Sequence, residues 1–141
     1  MPERCVYILY LHMETMTAMN MHFENHIFYA RPGESLNKAD AIAWVSALRR
    51  CAEQTFSPVA VVIDARDLKF IAASARVVIA EATRMWRVQS LIFVTDDSTM
   101  LQTVRMIGIL GEANATRAFP TLDEAMYFAR QITQQVAGRG A

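Results

Sequence analysis

Cysteine is scarce. The 141-residue chain holds two, Cys5 and Cys51, with no C-x-x-C spacing. A disulfide scaffold and a cysteine-rich zinc site are both excluded, and the usage suits a reducing cytoplasm where each thiol behaves as a small buried hydrophobe. Runs of one charge are missing as well. Fourteen basic side chains, only Lys38 and Lys69 being lysine, balance 14 acidic ones. Without a basic patch there is no electrostatic footprint for nucleic acid or an anionic membrane surface. No apolar stretch reaches the ~20 residues of a spanning helix. Repeats, low-complexity tracts and Pro/Gly/Ser linkers are absent, as are the G-x-G-x-x-G, P-loop and G-x-S-x-G motifs.

What the chain does have is apolar residues, at 53% of the total, enough for one domain to bury a core without staples. The opening "CVYILYLHM" lacks the basic flank and small-residue cleavage site of a secretory signal. Residues 1–15 therefore read as an extra N-terminal edge strand or, given Met13, Met16, Met19 and Met21, as sequence upstream of the true start. Residues 16–136 form the expected domain and 137–141 a frayed tail.

Within the domain, Met19, Met21 and Phe23 alternate, Glu24-Asn25 offers a turn, and "HIFYA" returns as the second strand of a hairpin. "RPGES" breaks the pattern, and Ala41, Val45, Leu48 and Ala52 then recur at helical spacing. Val59 to Ile63 and Ser90 to Val94 are continuous apolar runs of the kind found where both faces of a strand are covered. Between them a helix is expected, its face formed by Ala75, Val78, Ile79, Ala82 and Trp86. The next helix carries Met100, Leu101, Val104, Ile107 and Gly108, with Gly111 as its stop. "ATRAF" is a short last strand, and Thr121 with Glu124 forms a capping box for a final helix whose stripe is Leu122, Ala125, Met126, Ala129 and Ile132. The fold class is α/β, in the order β-β-α-β-α-β-α-β-α, with a mostly parallel central sheet and an antiparallel N-terminal hairpin.

Few residues suggest chemistry. His22, Glu24 and His26 form H-x-E-x-H, but the hairpin turn falls inside the motif and breaks the alternation that would align three ligands, so it reads as a polar turn. Asp64 and Asp67, and Asp96 and Asp97, follow parallel strands at the rim where open α/β sheets bind ligands; the same positions suit turn and cap residues. Trp44 and Trp86 read as packing residues at the edge of the core. No nucleophile-base pair, metal set or cofactor motif emerges, and no cofactor is expected.

The segments "PVAVVIDARDLKFIAASARVVIAEAT", "IFVTDDSTMLQTVRMIGIL" and "TRAFPTLDEAMYFA" resemble STAS domains, the sulphate-transporter and anti-sigma-factor-antagonist group. They look closest to its small stand-alone SpoIIAA-like bacterial members of uncharacterised role, over roughly residues 16 to 132. The resemblance implies a regulatory, non-enzymatic domain that binds another protein. Antagonist members carry an Asp-Ser pair whose serine is phosphorylated; here Ala72 and Ala73 stand in those places, so the phosphoacceptor position is Ala73. Ser74 lies one residue later, about 100° around a helix, and reads as a first-turn or N-cap hydroxyl. The surface expected to bind a partner comprises Asp64, Arg66, Asp67, Lys69, Ser74 and Arg76. A homodimer through the apolar N-terminal strand is a further expectation. The alternative reading, from the related Sec14-like lipid-binding proteins and the abundance of Met, is a carrier for a small apolar ligand or lipid. An enzyme using the paired Asp residues ranks third.

Overall fold

A computed structural model describes residues 19–85 and 87–139; the N-terminal strand expected within residues 1–15 and the side chain of Trp86 lie outside them. The hairpin consists of β1 (Asn20–Glu24) and β2 (Ile27–Arg31), paired antiparallel so that Glu24 faces Ile27. The turn residues are Asn25 and His26, one position later than the sequence suggested, at φ 54° and 65°. Positive φ at both central residues is the signature of a type I′ turn, whose twist matches that of the strands it joins. Histidine adopts it less readily than asparagine.

Next come β3 (Ser35–Leu36), helix α1 (Lys38–Glu53), β4 (Val59–Asp64), β5 (Phe70–Ile71) and helix α2 (Ala73–Ala82). Then follow β6 (Val88–Val94), helix α3 (Ser98–Leu110), β7 (Thr116–Phe119) and helix α4 (Leu122–Arg139). The main sheet runs β1-β2-β4-β6-β7, parallel throughout except at the hairpin. β3 and β5 form a separate parallel pair two residues long, too short to register in the sequence pattern. The backbone of α4 continues through Arg139, into the stretch read from sequence as a tail.

Strand alternation divides the core in two. Val61, Ile63, Leu91 and Phe93 face α1, α2 and α3, where Trp44, Leu48, Ile79 and Ile107 meet them. Ala60, Val62, Ile92 and Val94 face α4, through Ala125 and Ala129. Each fully buried Leu, Ile or Phe contributes about 1.5–3 kcal/mol by leaving water, so both apolar runs are held mid-sheet. Trp44 is a core residue, 2% exposed, with its ring centroid 6.4 Å from that of Phe28.

Caps fix the helix starts. Asn37 and Asp40 form a reciprocal capping box on α1, Asp97 accepts the Met100 N–H on α3 at 2.8 Å, and Thr121 accepts the Glu124 N–H on α4 at 3.2 Å. Helix α2 ends at Ala82, a turn earlier than a face running to Trp86 requires. The Thr83 hydroxyl closes that end by donating to Ala80 O at 2.7 Å and accepting the Glu112 N–H at 2.9 Å. Gly111 stops α3 without a left-handed conformation, its φ being −111°. Space is what it provides: a Cβ there would lie 2.3 Å from Thr83 Oγ1 and 2.6 Å from Ala80 O.

Candidate functional site

The carboxyl ends of β2 and β4 lie side by side, and the loop that leaves β4 is clamped there. Asp64 continues the alternation of Ala60 and Val62, which carries its side chain out of solvent to 0% exposure. A buried carboxylate is costly unless its oxygens are satisfied. Here Arg66 donates from Nε and Nη2 at 2.8 and 2.6 Å, the Tyr29 hydroxyl donates at 2.8 Å, and the Arg66 backbone N–H adds a long bond of 3.4 Å. Burial pushes the Asp64 carboxyl up, but the bonds from Arg66 and Tyr29 together outweigh it and hold the group below the usual range. Tyr29 is pushed up to about 12, by burial first and then by its bond to Asp64 and the charge there. Arg66 is raised by the same carboxylate.

A second, exposed pair runs alongside. Arg31 Nε lies 3.0 Å from Asp67 Oδ2, and that bond raises the guanidinium. Lys69 Nζ lies 3.4 Å from Glu34 at the surface. The Lys69 and Phe70 N–H groups both donate to Glu34 O, and that of Ala72 donates to Leu36 O, so β5 delivers the chain into α2 at a fixed angle.

Helix α2 begins on Ala73, with Ala72 at the N-cap and no side-chain cap bond. Ala73 and Ser74 are both exposed; Ser74 sits in the first turn and does not cap it. Arg76 turns back to donate to Ile71 O at 2.9 Å, and its Nη1 lies 3.7 Å from Met106 Sδ on α3. Arg84 crosses in the same way, donating to Leu110 O at 2.6 Å. Arg76 on α2 and Arg84 just past its end both reach α3, and exposed apolar side chains stand on the two helices: Val77 on α2, with Met106 and Leu110 on α3. Phe70, 56% exposed, stands at the entry to the helix.

The six residues picked out by sequence therefore divide. Arg66, Asp67, Lys69 and Ser74 share the surface around the β4 to α2 connection; Arg76 joins it half-buried, and Asp64 lies beneath, reaching that surface only through Arg66. Sequence reasoning missed Tyr29, Arg31 and the apolar ridge of Val77, Met106 and Leu110. A signal for the ridge was available: Met106 and Leu110 are apolar, four residues apart, and fall outside the core stripe of α3. Among the described residues, no three His, Cys, Asp or Glu side chains converge as metal ligands. No helix there is long and apolar enough to cross a membrane. Cys51 is buried in the core.

No family model and no curated protein matches the sequence. Solved structures do. One is an uncharacterized protein of the DUF3478 family with a SpoIIAA-like fold from Shewanella loihica PV-4, similar at a TM-score of 0.54 and 11% identity over 79% of this chain and 92% of that one. The fold is SpoIIAA-like. Within this SpoIIAA-like fold the clamped loop leads into the uncapped start of α2, whose Arg76 reaches Met106 on α3.

Proposed function

We propose that this is a non-enzymatic STAS-like regulatory domain that binds another protein through the β4 to α2 loop and the outer surface of α2. The observation that carries the reading is the exposed apolar ridge of Val77, Met106 and Leu110, fastened by Arg76 and Arg84. Apolar side chains on two helices, with arginines that reach from one to the other, present the mixed chemistry of a protein interface. Arg66, Asp67, Lys69, Ser74 and Arg76 form its polar border, Asp64 positions Arg66, and Ala73 stands where a switchable member would carry its phosphoacceptor. In this reading residues 16–136 are the working domain, acting in the cytoplasm without a cofactor.

The test is a comparative pull-down from native lysate with the wild type and a Val77→Asp/Met106→Asp variant matched by circular dichroism. A protein retained by the first and lost by the second is the expected result. Recovery of nothing specific by the wild type would count decisively against the reading. Self-association through the N-terminal strand, read by sedimentation equilibrium, is a companion proposal. The alternative is a carrier for a small apolar ligand or lipid, for which native mass spectrometry after mild extraction would show a co-purifying apolar ligand.

A further inference from the structure

On the opposite flank of α3 the sheet of the described residues ends at β7, which among them pairs with β6 alone. Phe119 O accepts the Thr95 N–H at 2.9 Å and Ala115 O accepts the Ser90 hydroxyl at 3.0 Å, so the odd-numbered residues turn their main-chain groups toward β6. Alternation then turns those of Thr116 and Ala118 outward. The Thr116 N–H is taken by Ala113 O in the preceding 3-10 turn. Among the described residues, the Thr116 carbonyl and both main-chain groups of Ala118 are left along this edge.

Beside this edge an open groove of about 510 Å³ separates α3 from β7. Its apolar lining includes Leu101, Val104 and Ile109, the last 79% exposed. Its two charged lining residues are Arg105 and Arg117, and no carboxylate lines it. Neither arginine has an ion-pair partner among the described residues.

We propose that this edge of β7 and its adjoining groove bind an extended acidic segment of a partner protein as an added strand. Main-chain bonds to Thr116 and Ala118 set the register, apolar side chains enter the groove beside Arg105, and the carboxylates, on the alternate face of the added strand, meet Arg117, which shares the face of Ile92 and Phe119. Pro120 ends the edge, so the docked segment is short and the groove must supply much of the affinity. A second copy of this chain is a poor occupant, because antiparallel pairing of two β7 edges would set like arginines against each other. The site is separate from the α2 surface and stands or falls independently of it.

Two fluorescein-labelled ten-residue peptides test this, one alternating valine with glutamate and one alternating valine with lysine, followed by fluorescence anisotropy at low salt. The glutamate peptide is expected to bind the wild type at least tenfold more tightly than the lysine peptide, and an Arg105→Glu/Arg117→Glu variant should reverse the order. Hydrogen exchange on the wild type supplies a reading that no variant's folding can confuse: the Ala118 amide slows with the glutamate peptide, while the Arg117 and Phe119 amides, already in the ladder, do not change. Absence of binding at millimolar peptide, equal binding of the two peptides, protection away from Ala118, or a dimer strengthened by the double charge reversal would each overturn the proposal.

Discussion

The hydroxyl of Tyr29, midway along β2, donates to the buried carboxylate of Asp64 at the end of β4 across a 2.8 Å bond that spans 35 residues of sequence. With Arg66 it satisfies a charge that the fold has taken out of water. Arg66→Ala is therefore expected to cost about 2 kcal/mol, below the usual figure for breaking a buried pair because the Arg66 side chain is 43% exposed. Urea melts read this as a lowered midpoint at an unchanged slope. Asp64→Asn, which removes the charge and keeps the shape, should cost less than Arg66→Ala; the opposite order would mean that the arginine contributes little.

The same pair sets two pH limits. Asp64 has a lowered folded pKa, so its contribution is complete above the unfolded value of about 4 and is lost as pH falls through the folded one. Tyr29 has a raised one, so its contribution is complete below about 10 and is lost as pH climbs toward about 12. Tyrosinate absorbance of the wild type, minus that of Tyr29→Phe, should reveal one late-titrating phenol. A difference curve centred near pH 10 would remove the basis for the alkaline limit.

Gly111→Ala should destabilise the protein by about 2–3 kcal/mol, in the range of overpacked cores. The added carbon would meet the Ala80 carbonyl, held within helix α2, and the Thr83 hydroxyl, held by two hydrogen bonds. Thr83→Ala should relieve only part of the loss, because Ala80 O remains 2.6 Å from the new atom. A thermal melt of the double variant at the wild-type temperature would refute this steric account.

Serine kinases that act on switchable members are expected to leave Ser74 unmodified. In the proposed STAS-like reading it lies one position beyond the acceptor place, taken by Ala73, the first residue of α2. Intact-mass measurement after incubation should show no added phosphate. Stoichiometric modification at Ser74 would restore a switch to this surface.

Much of this architecture was written in local pattern, and what escaped did so for physical reasons. Val59 to Ile63 and Leu91 to Val94 could be placed mid-sheet because burial of both faces leaves no polar alternation. Asp97 and Thr121 declared their helices through cap chemistry confined to three residues. The contact of Tyr29 with Asp64 depends on two strands becoming neighbours, which no local window contains. The end of α2 was misplaced because apolar spacing continues past Ala82, whereas what stops the helix is a threonine bonded to Glu112, 29 residues on. Exposed Met106 and Leu110 were passed over because apolar residues in a helix are read first as core. Of the candidate site, the connection from Asp64 to Arg76 was legible; the part contributed by α3 was not.

The unequal covering of the sheet has a consequence for biogenesis. Three helices close one face before β7 has been synthesised, whereas Ile27, Ala60, Val62, Ile92 and Val94 wait for α4. A released chain truncated just after Phe119 should display a bare aliphatic surface and recruit holdase chaperones, which the chain carrying residues 122–139 should not.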